Sequence, residues 1–324
     1  MRHRPRRNAW RAGALLLALA ATSAAAAGCG ADFDPYERLT SLRVLALRSD
    51  PVSPAPGEMT TLSTLVYTPP PADPGTPPPT VTYDWSWCPF SGSANNGYPC
   101  LVTEADVLRL TGTSVSFSLG TDPTATFNYD INPDMLSQLC QGMLGLAPPS
   151  SCQDGFPATI KLKVSDGVDS VTAIRTLKLL LKPASQPNTN PAIGQMLTAT
   201  VDGNDVALTA DVLLKRDVEN VLKADVARDA AEVYDGLDDN GKPATLTERL
   251  YLSWFVETGD VLHPRTGYNA AAMTSFVDDF LKTKWRPARS HDYARSTSQL
   301  IVVLRDSRDG VSWTSTTAGL EPTP

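Results

Sequence analysis

Two tandem antiparallel β-sandwiches, in an all-β chain with small helical insertions, are the fold this sequence predicts. Three observations predict it. Short runs alternate between apolar and polar residues and are broken by proline, glycine, asparagine and aspartate, the pattern of half-covered strands rather than long helices. An alternating run with a central tryptophan, followed by a closing hairpin with an Asp-Gly turn, occurs once in each half, in the same order. Such a double match marks a duplicated unit. Between the halves lies Pro183-Ala184-Ser185-Gln186-Pro187-Asn188-Thr189-Asn190-Pro191, a compact polar linker, so the boundary falls over residues 184–191. The first sandwich is expected over 41–183 and the second over 192–320.

The chain opens with Arg2, Arg4, Arg6, Arg7 and Arg11, then an apolar run from Leu15 and small residues up to Gly28 and Cys29. A basic head, a short apolar core and small residues before a cut make a secretory signal. The run is too short and too alanine-rich for a membrane-spanning helix. Ala26-Ala27-Gly28-Cys29 resembles the lipobox of bacterial lipoproteins. The resemblance implies removal of residues 1–28, a lipid on the Cys29 thiol and an acylated new amino terminus. Acyl chains bind a membrane at roughly 0.8 kcal/mol per buried methylene. Residues 29–40 read as a tether. Gly30 follows Cys29, so the acidic second residue that retains some enteric lipoproteins at the inner membrane is absent. The expected location is the bacterial envelope, on the periplasmic or surface face of the outer membrane.

Of the 324 residues, 296 remain once the first 28 are removed, enough for two cores. The 28 basic residues lose five arginines and become 23, against 35 acidic ones, a net charge of −12. So acidic a chain repels phosphate backbones and excludes nucleic acid as a partner. Four cysteines stay: Cys88, Cys100, Cys140 and Cys152. In an exported chain they read as two disulfides. Four cysteines allow three pairings, and the local one, Cys88–Cys100 with Cys140–Cys152, closes two short loops. Their spacing is not that of a zinc site, and no histidine lies nearby.

Leu42 to Leu47 is apolar on both alternating faces, so a strand covered on both sides is expected. Residues 59–67, rich in threonine and branched side chains, give a second strand. The dense prolines from Pro69 to Pro79 give a stiff extended loop; a ligand for a proline-reading domain is the functional alternative. Val81 to Cys88 resumes the alternation, with Trp85 and Trp87 on one face. Thr103 caps a short helix to Leu110. Strands follow near 113–119 and 124–130, then a helix begins at Asn132-Pro133. Ile160 to Val168 and a strand through Leu181 close the first half, with Asp166-Gly167 as the turn. In the second half, strands are expected near 194–201, 205–213 and 221–227, then an acidic loop at 235–241. Arg249 to Phe255 mirrors Val81 to Trp87. A small helix is expected over 270–282. Ile301 to Val311 mirrors the first closing hairpin, turning at Asp309-Gly310.

Trp85-Ser86-Trp87-Cys88-Pro89, Asn188-Thr189-Asn190-Pro191, Leu252-Ser253-Trp254-Phe255 and the run from Val303 to Trp313 carry a second resemblance. The mature chain resembles bacterial surface lipoproteins with tandem immunoglobulin-like domains, as in myxobacteria. The resemblance implies immunoglobulin-like sandwiches and an envelope location, and brings no known activity. Antibody-type domains tie strand to strand with a disulfide beside their tryptophan; here the second half has no cysteine.

Asp235, Asp238, Asp239 and Asn240 before Gly241 are the candidate calcium ligands, because calcium takes six to eight oxygens. The spacing departs from D-x-[DN]-x-[DN]-G, and a polar turn explains it as well. Arg305, Asp306 and Arg308 read as surface ion pairs, each worth at most about 1 kcal/mol. His263 and His291 remain after processing, with no H-E-x-x-H and no G-x-S-x-G. A hydrolase would need one of them beside a serine and an acid. Trp85, Trp87, Tyr251, Trp254, Trp285 and Trp313 line either the cores or a sugar-binding face, and Trp285, in a loop beside Arg286-Pro287, is the least explained by core packing. The sequence thus points to a non-enzymatic, cofactor-free envelope lipoprotein. It would bind or scaffold an envelope protein, or else bind polysaccharide.

Overall fold

The period-two stretches are strands in the computed structural model, which describes residues 35–71, 73, 75–112, 114–141, 152, 155–238, 240–268 and 278–322. The signal segment and Cys29 lie outside them. In the first half, β1 is Arg43–Asp50, β2 Met59–Tyr67 and β3 Thr82–Cys88. Helix α1 (Glu104–Thr111) starts at Thr103, whose side chain accepts from the Asp106 amide while Asp106 reaches back, and it stops at the left-handed Gly112. Strand β4 is only Ser118–Gly120, shorter than the alternation over 113–119 predicts, and β5 is Thr124–Asn128. Helix α2 (Pro133–Cys140) is capped by Asn132 and buries Leu136 and Leu139. Strands β6 (Phe156–Ser165) and β7 (Ser170–Leu179) form the closing hairpin.

The second half runs β8 (Ile193–Val201), β9 (Asn204–Ala207), β10 (Leu213–Leu214) and β11 (Asn220–Val226). The expected strand over 205–213 is therefore two short pieces. The expected acidic loop is instead a hairpin, β12 (Val233–Leu237) with β13 (Pro243–Thr247); alternating Val233, Asp235 and Leu237 let aspartate sit on an exposed strand face. Then come β14 (Leu250–Val256), β15 (Asp260–Val261) and β16 (Arg265–Tyr268). The expected helix over 270–282 falls partly outside the described residues; its end is a 3-10 turn, Asp278–Leu281, that leads into β17 (Lys282–Arg286). Strands β18 (Thr297–Asp306) and β19 (Val311–Leu320) close the chain.

The sheets repeat. The first half stacks β1-β2-β5 on β4-β3-β6-β7, and the second stacks β15-β17-β11-β8-β9 on β10-β19-β18-β14-β16. Strands β3, β6 and β7 stand to one another as β14, β18 and β19 do, all antiparallel. This is the immunoglobulin-type arrangement of two sheets. The strands that a disulfide ties in antibody domains carry no cysteine here; Leu62 and Leu162 in one half, Leu222 and Val302 in the other, are at most 1% exposed in their place. Trp85 and Trp254 sit at 1% exposure in the two cores. Trp285 is fully buried in β17, because the strand runs on through Arg286, paired there with Asp260 of β15, and turns Trp285 inward; the sequence-based placement in a loop is corrected.

A third apolar cluster joins the halves. Leu39, Leu45, Ala46 and Tyr67 pack on Phe255, Ile301, Val303 and Val311. The outer face of β14 and β18 is thus covered by β1 and β2, and the tether reading fails at its end. Glu37 and Leu39 are buried, and the Leu39 amide donates to Val256 O while the Val256 amide donates to Glu37 O.

Candidate contact surface

The two disulfides form as the local pairing predicts, with Cα–Cα separations of 5.6 Å for Cys88–Cys100 and 5.7 Å for Cys140–Cys152. Strand register brings both to one end of the first sandwich. Cys88 faces Thr159, and Phe156 faces Leu179, so the end of β3, the start of β6 and the end of β7 coincide. Leu180 donates to Pro54 O, which adds the loop after β1 to the same end. The opposite end holds the β6–β7 turn, the start of β1 opposite Tyr67, and residues 37–42, through which the chain passes from Cys29.

The 88–100 loop is rigid for reasons beyond its disulfide. Gly92 donates to Pro99 O and Leu101 to Phe90 O. The Ser91 and Thr159 hydroxyls meet at 2.8 Å, Lys161 Nζ donates to Gly97 O, and Phe90 packs edge-on against Phe156 at 5.4 Å. The loop carries no charged residue, and beside it Leu101 and Leu108 are 66% and 47% exposed. Leu101 is tied to the pinned loop through Phe90 O and Leu108 stands on α1, so both present apolar surface with little ordering entropy left to lose.

A second polar feature surrounds the linker. Arg308 was expected in surface pairs with its sequence neighbours; instead its guanidinium reaches Glu232 at 3.5 Å and Glu248 at 3.4 Å and stacks over Tyr234 at 4.4 Å. Asp306 is buried, and its Oδ1 accepts from the Arg308 and Gly310 amides, both at 2.7 Å. The turn, not a partner charge, holds it. Burial, then the Asp306 carboxylate, push Glu248 up to about 7; burial also raises Asp306. The linker hangs on this group. Gln186 O accepts from Arg308, Asn188 donates to Arg308 O, and Thr189 Oγ1 donates to Glu232. Asn190 spans the halves: its Nδ2 donates to Ser49 O and its Oδ1 accepts from the Val311 amide, each at 2.9 Å. Beside this linker a cleft of about 660 Å³ opens between Gln186, Glu232, Val233, Tyr268 and Arg308.

The other candidates are dispersed. Asp238 Oδ1 accepts from the Asn240 and Lys242 amides, the geometry of a turn, while Asp235 stands on β12 and accepts from Thr245. Asp239 lies outside the described residues, and among those described no group of three or more His, Cys, Asp or Glu is placed to hold a metal ion. His291 is exposed beside Asp292, and His263 offers its carbonyl to Thr283; among the described residues neither is hydrogen-bonded to a serine. Trp85, Trp87, Trp254 and Trp285 are buried, and Trp313 is half-buried against the inter-sandwich cluster. Tyr251 is 45% exposed with no tryptophan beside it on an open face, so these residues form no flat aromatic platform. Among the described residues no helix is long and apolar enough to cross a membrane.

No family model and no curated protein matches the chain. Among solved structures, murine CEACAM1b is similar at 11% identity over 87% of this chain and 100% of that one, with a TM-score of 0.21. The N-terminal Ig1-2 module of the Drosophila receptor protein tyrosine phosphatase DLAR is similar at 11% identity over 87% and 100%, with a TM-score of 0.23. Scores this low carry no inference; the immunoglobulin-type assignment rests on the strand order above.

Proposed function

We propose that this chain is a lipid-anchored, non-enzymatic binding or scaffolding module of the bacterial envelope, held by Cys29 and meeting an envelope protein through its disulfide-pinned loops. One observation carries the reading. Both disulfides lie at the end of the first sandwich opposite to the end that residues 37–42 join. Rigid scaffolds present their loops for recognition, and an anchor at one end leaves the other free to reach a partner. Two disulfides are the chemistry of an exported chain, in keeping with an envelope location. The buried tryptophans weigh against polysaccharide as the ligand.

Cross-linking in live cells tests this, with the wild type compared with Cys29→Ala and with Leu101→Asp. A defined envelope protein recovered with the wild type and lost with both variants is the expected result. Recovery that survives both substitutions contradicts it. Retention of envelope polysaccharide with no protein shifts the reading to carbohydrate binding.

A further inference from the structure

A cavity of about 350 Å³ lies at the joint of the two sandwiches, walled by β1, β7 and the β18–β19 turn. Two arginines reach it from opposite halves. Arg175 of β7 donates to Leu47 O through Nη1, and to Ser49 Oγ and Asp309 O through Nη2. Arg305 of β18 donates to Leu45 O through Nη2 and to Ser253 Oγ through Nη1. Each bond to a β1 carbonyl is 2.8 Å long. Leu45 and Leu47 are two residues apart on one strand, so the guanidinium groups stand side by side along its edge, about 7 Å apart.

Arg175 lacks a counter-ion. The oxygens that meet it are carbonyls and a hydroxyl, and among the described residues no carboxylate pairs with it. Its Nε is buried with no hydrogen-bond partner. Burial pulls the guanidinium below its usual pKa, Asp309 and then Asp306 oppose this from a distance, and Arg305 adds to the pull. Neither aspartate fills the place of a counter-ion. Asp306 spends Oδ1 on the Arg308 and Gly310 amides and Oδ2 on Asn188, and Asp309 is exposed on a left-handed turn, φ 77°. The other inward arginines are served better. Arg308 has two glutamates and the Tyr234 ring. Arg216 donates from Nε, Nη1 and Nη2 to four carbonyls and leaves no nitrogen unbonded. A buried charge without a counter-ion is costly, and a buried donor without an acceptor adds to the cost.

We propose that this cavity is an oxyanion site, in which one phosphate-class dianion bridges Arg175 and Arg305 and supplies the missing counter-charge. A tetrahedral anion offers oxygens on two sides and accepts from two guanidinium forks at once. Its two charges match the two cations. The cavity is near the small end of ligand sites, which run from about 300 to 1,000 Å³, so it suits one phosphoryl group rather than a large molecule. The acidity of the chain as a whole acts on such an anion at long range, where salt screens it. The phosphoryl group comes either from free phosphate or from a phospholipid headgroup. The site depends on neither the Cys29 anchor nor the disulfide-pinned loops.

Nitrogen-15 spectra of the full chain test this at the Arg175 Nε–H resonance. Inorganic phosphate should shift it to saturation, while chloride at equal ionic strength should leave it in place. Arg305→Lys keeps the charge but loses the fork and should weaken phosphate about tenfold. Asp309→Asn removes the nearest opposing charge, and asparagine tolerates a left-handed backbone, so phosphate should bind more tightly. Urea midpoints show whether each variant folds; if Arg305→Lys does not, the wild type and Asp309→Asn decide. Vesicles of phosphatidylcholine with and without phosphatidic acid separate the sources. A shift that needs phosphatidic acid in the vesicles assigns the headgroup, and a shift with inorganic phosphate alone assigns the free anion. A resonance that moves with neither overturns the proposal. So does equal movement in chloride, or a phosphate affinity indifferent to the substitutions.

Discussion

The two sandwiches share a strand order and reach stability by different means. The first is the smaller assembly, a three-stranded sheet on a four-stranded one, and two disulfides staple its loops. The second has no cysteine and stacks two five-stranded sheets. It closes its seam with β10, which runs parallel to the end of β19. That crossing needs Gly319, where a Cβ would run into Ala210 O. In tryptophan the two cores are alike: Trp85 and Trp87 are buried in the first, Trp254 and Trp285 in the second, and all four indole N–H groups find an oxygen. One architecture thus tolerates a thin sheet where covalent links replace packing.

Packing should therefore dominate in the second half. Trp254→Ala empties a site that is 1% exposed and should cost about 3–5 kcal/mol, read as a fall in the urea midpoint followed by tryptophan fluorescence. An unchanged midpoint would break the contrast. In the first half the staples should matter instead. Replacing Cys88 and Cys100 by serine opens a loop of separation 12 and should cost about 3 kcal/mol on the chain-entropy model. Hydrogen exchange should show the loss over β3 and β6 while β14 and β18 keep their protection.

The acid group at the linker belongs to the second half alone. Glu248 is raised to about 7 in the folded chain from an ordinary 4.5. Between those values the folded state holds a proton that the unfolded state releases. The stability from this group is thus full below pH 4.5 and lost as pH rises through 7. Glu248→Gln should remove about 2–3 kcal/mol of that pH dependence, checked by urea melts at pH 5 and pH 8. Parallel slopes in wild type and variant would count against the account.

Much of this fold was legible in the sequence. The threonine and branched residues of Met59 to Tyr67 and the alternation of Thr82 to Cys88 are local signals, and both stretches are strands over those residues. Both capped helices follow from Thr103 and Asn132, whose side chains serve the first turn. What failed depends on partners distant in the chain. Trp285 is buried because β11 and β15 flank its strand, and no window around Arg286-Pro287 contains either. The docking of residues 37–39 on Val256 is likewise invisible locally. One signal was present for the joint between the halves. Ile301-Val302-Val303-Leu304 is apolar on both faces, and a strand inside its own sandwich needs only one. The second face is the one that the first half covers. The pairing of Arg308 with Glu232 and Glu248 had no sequence signal, since 76 and 60 residues separate the partners.

Asn190→Ala is the mildest change expected to register. It removes two hydrogen bonds that bridge the halves, at about 1–2 kcal/mol, and should show as faster exchange of the Val311 amide with the rest of β19 unchanged.

The shared apolar cluster and the Asn190 bridge hold the two sandwiches as one body, so the disulfides and the anchor-side segment keep fixed ends. Spin labels at Val168→Cys in the first half and Leu262→Cys in the second, both exposed, report on it by pulsed electron–electron distance measurement. A single narrow distance peak, unchanged when the protein is reconstituted in vesicles, is the predicted result. A broad or multi-peaked distribution would show halves that swing on their linker and would contradict it.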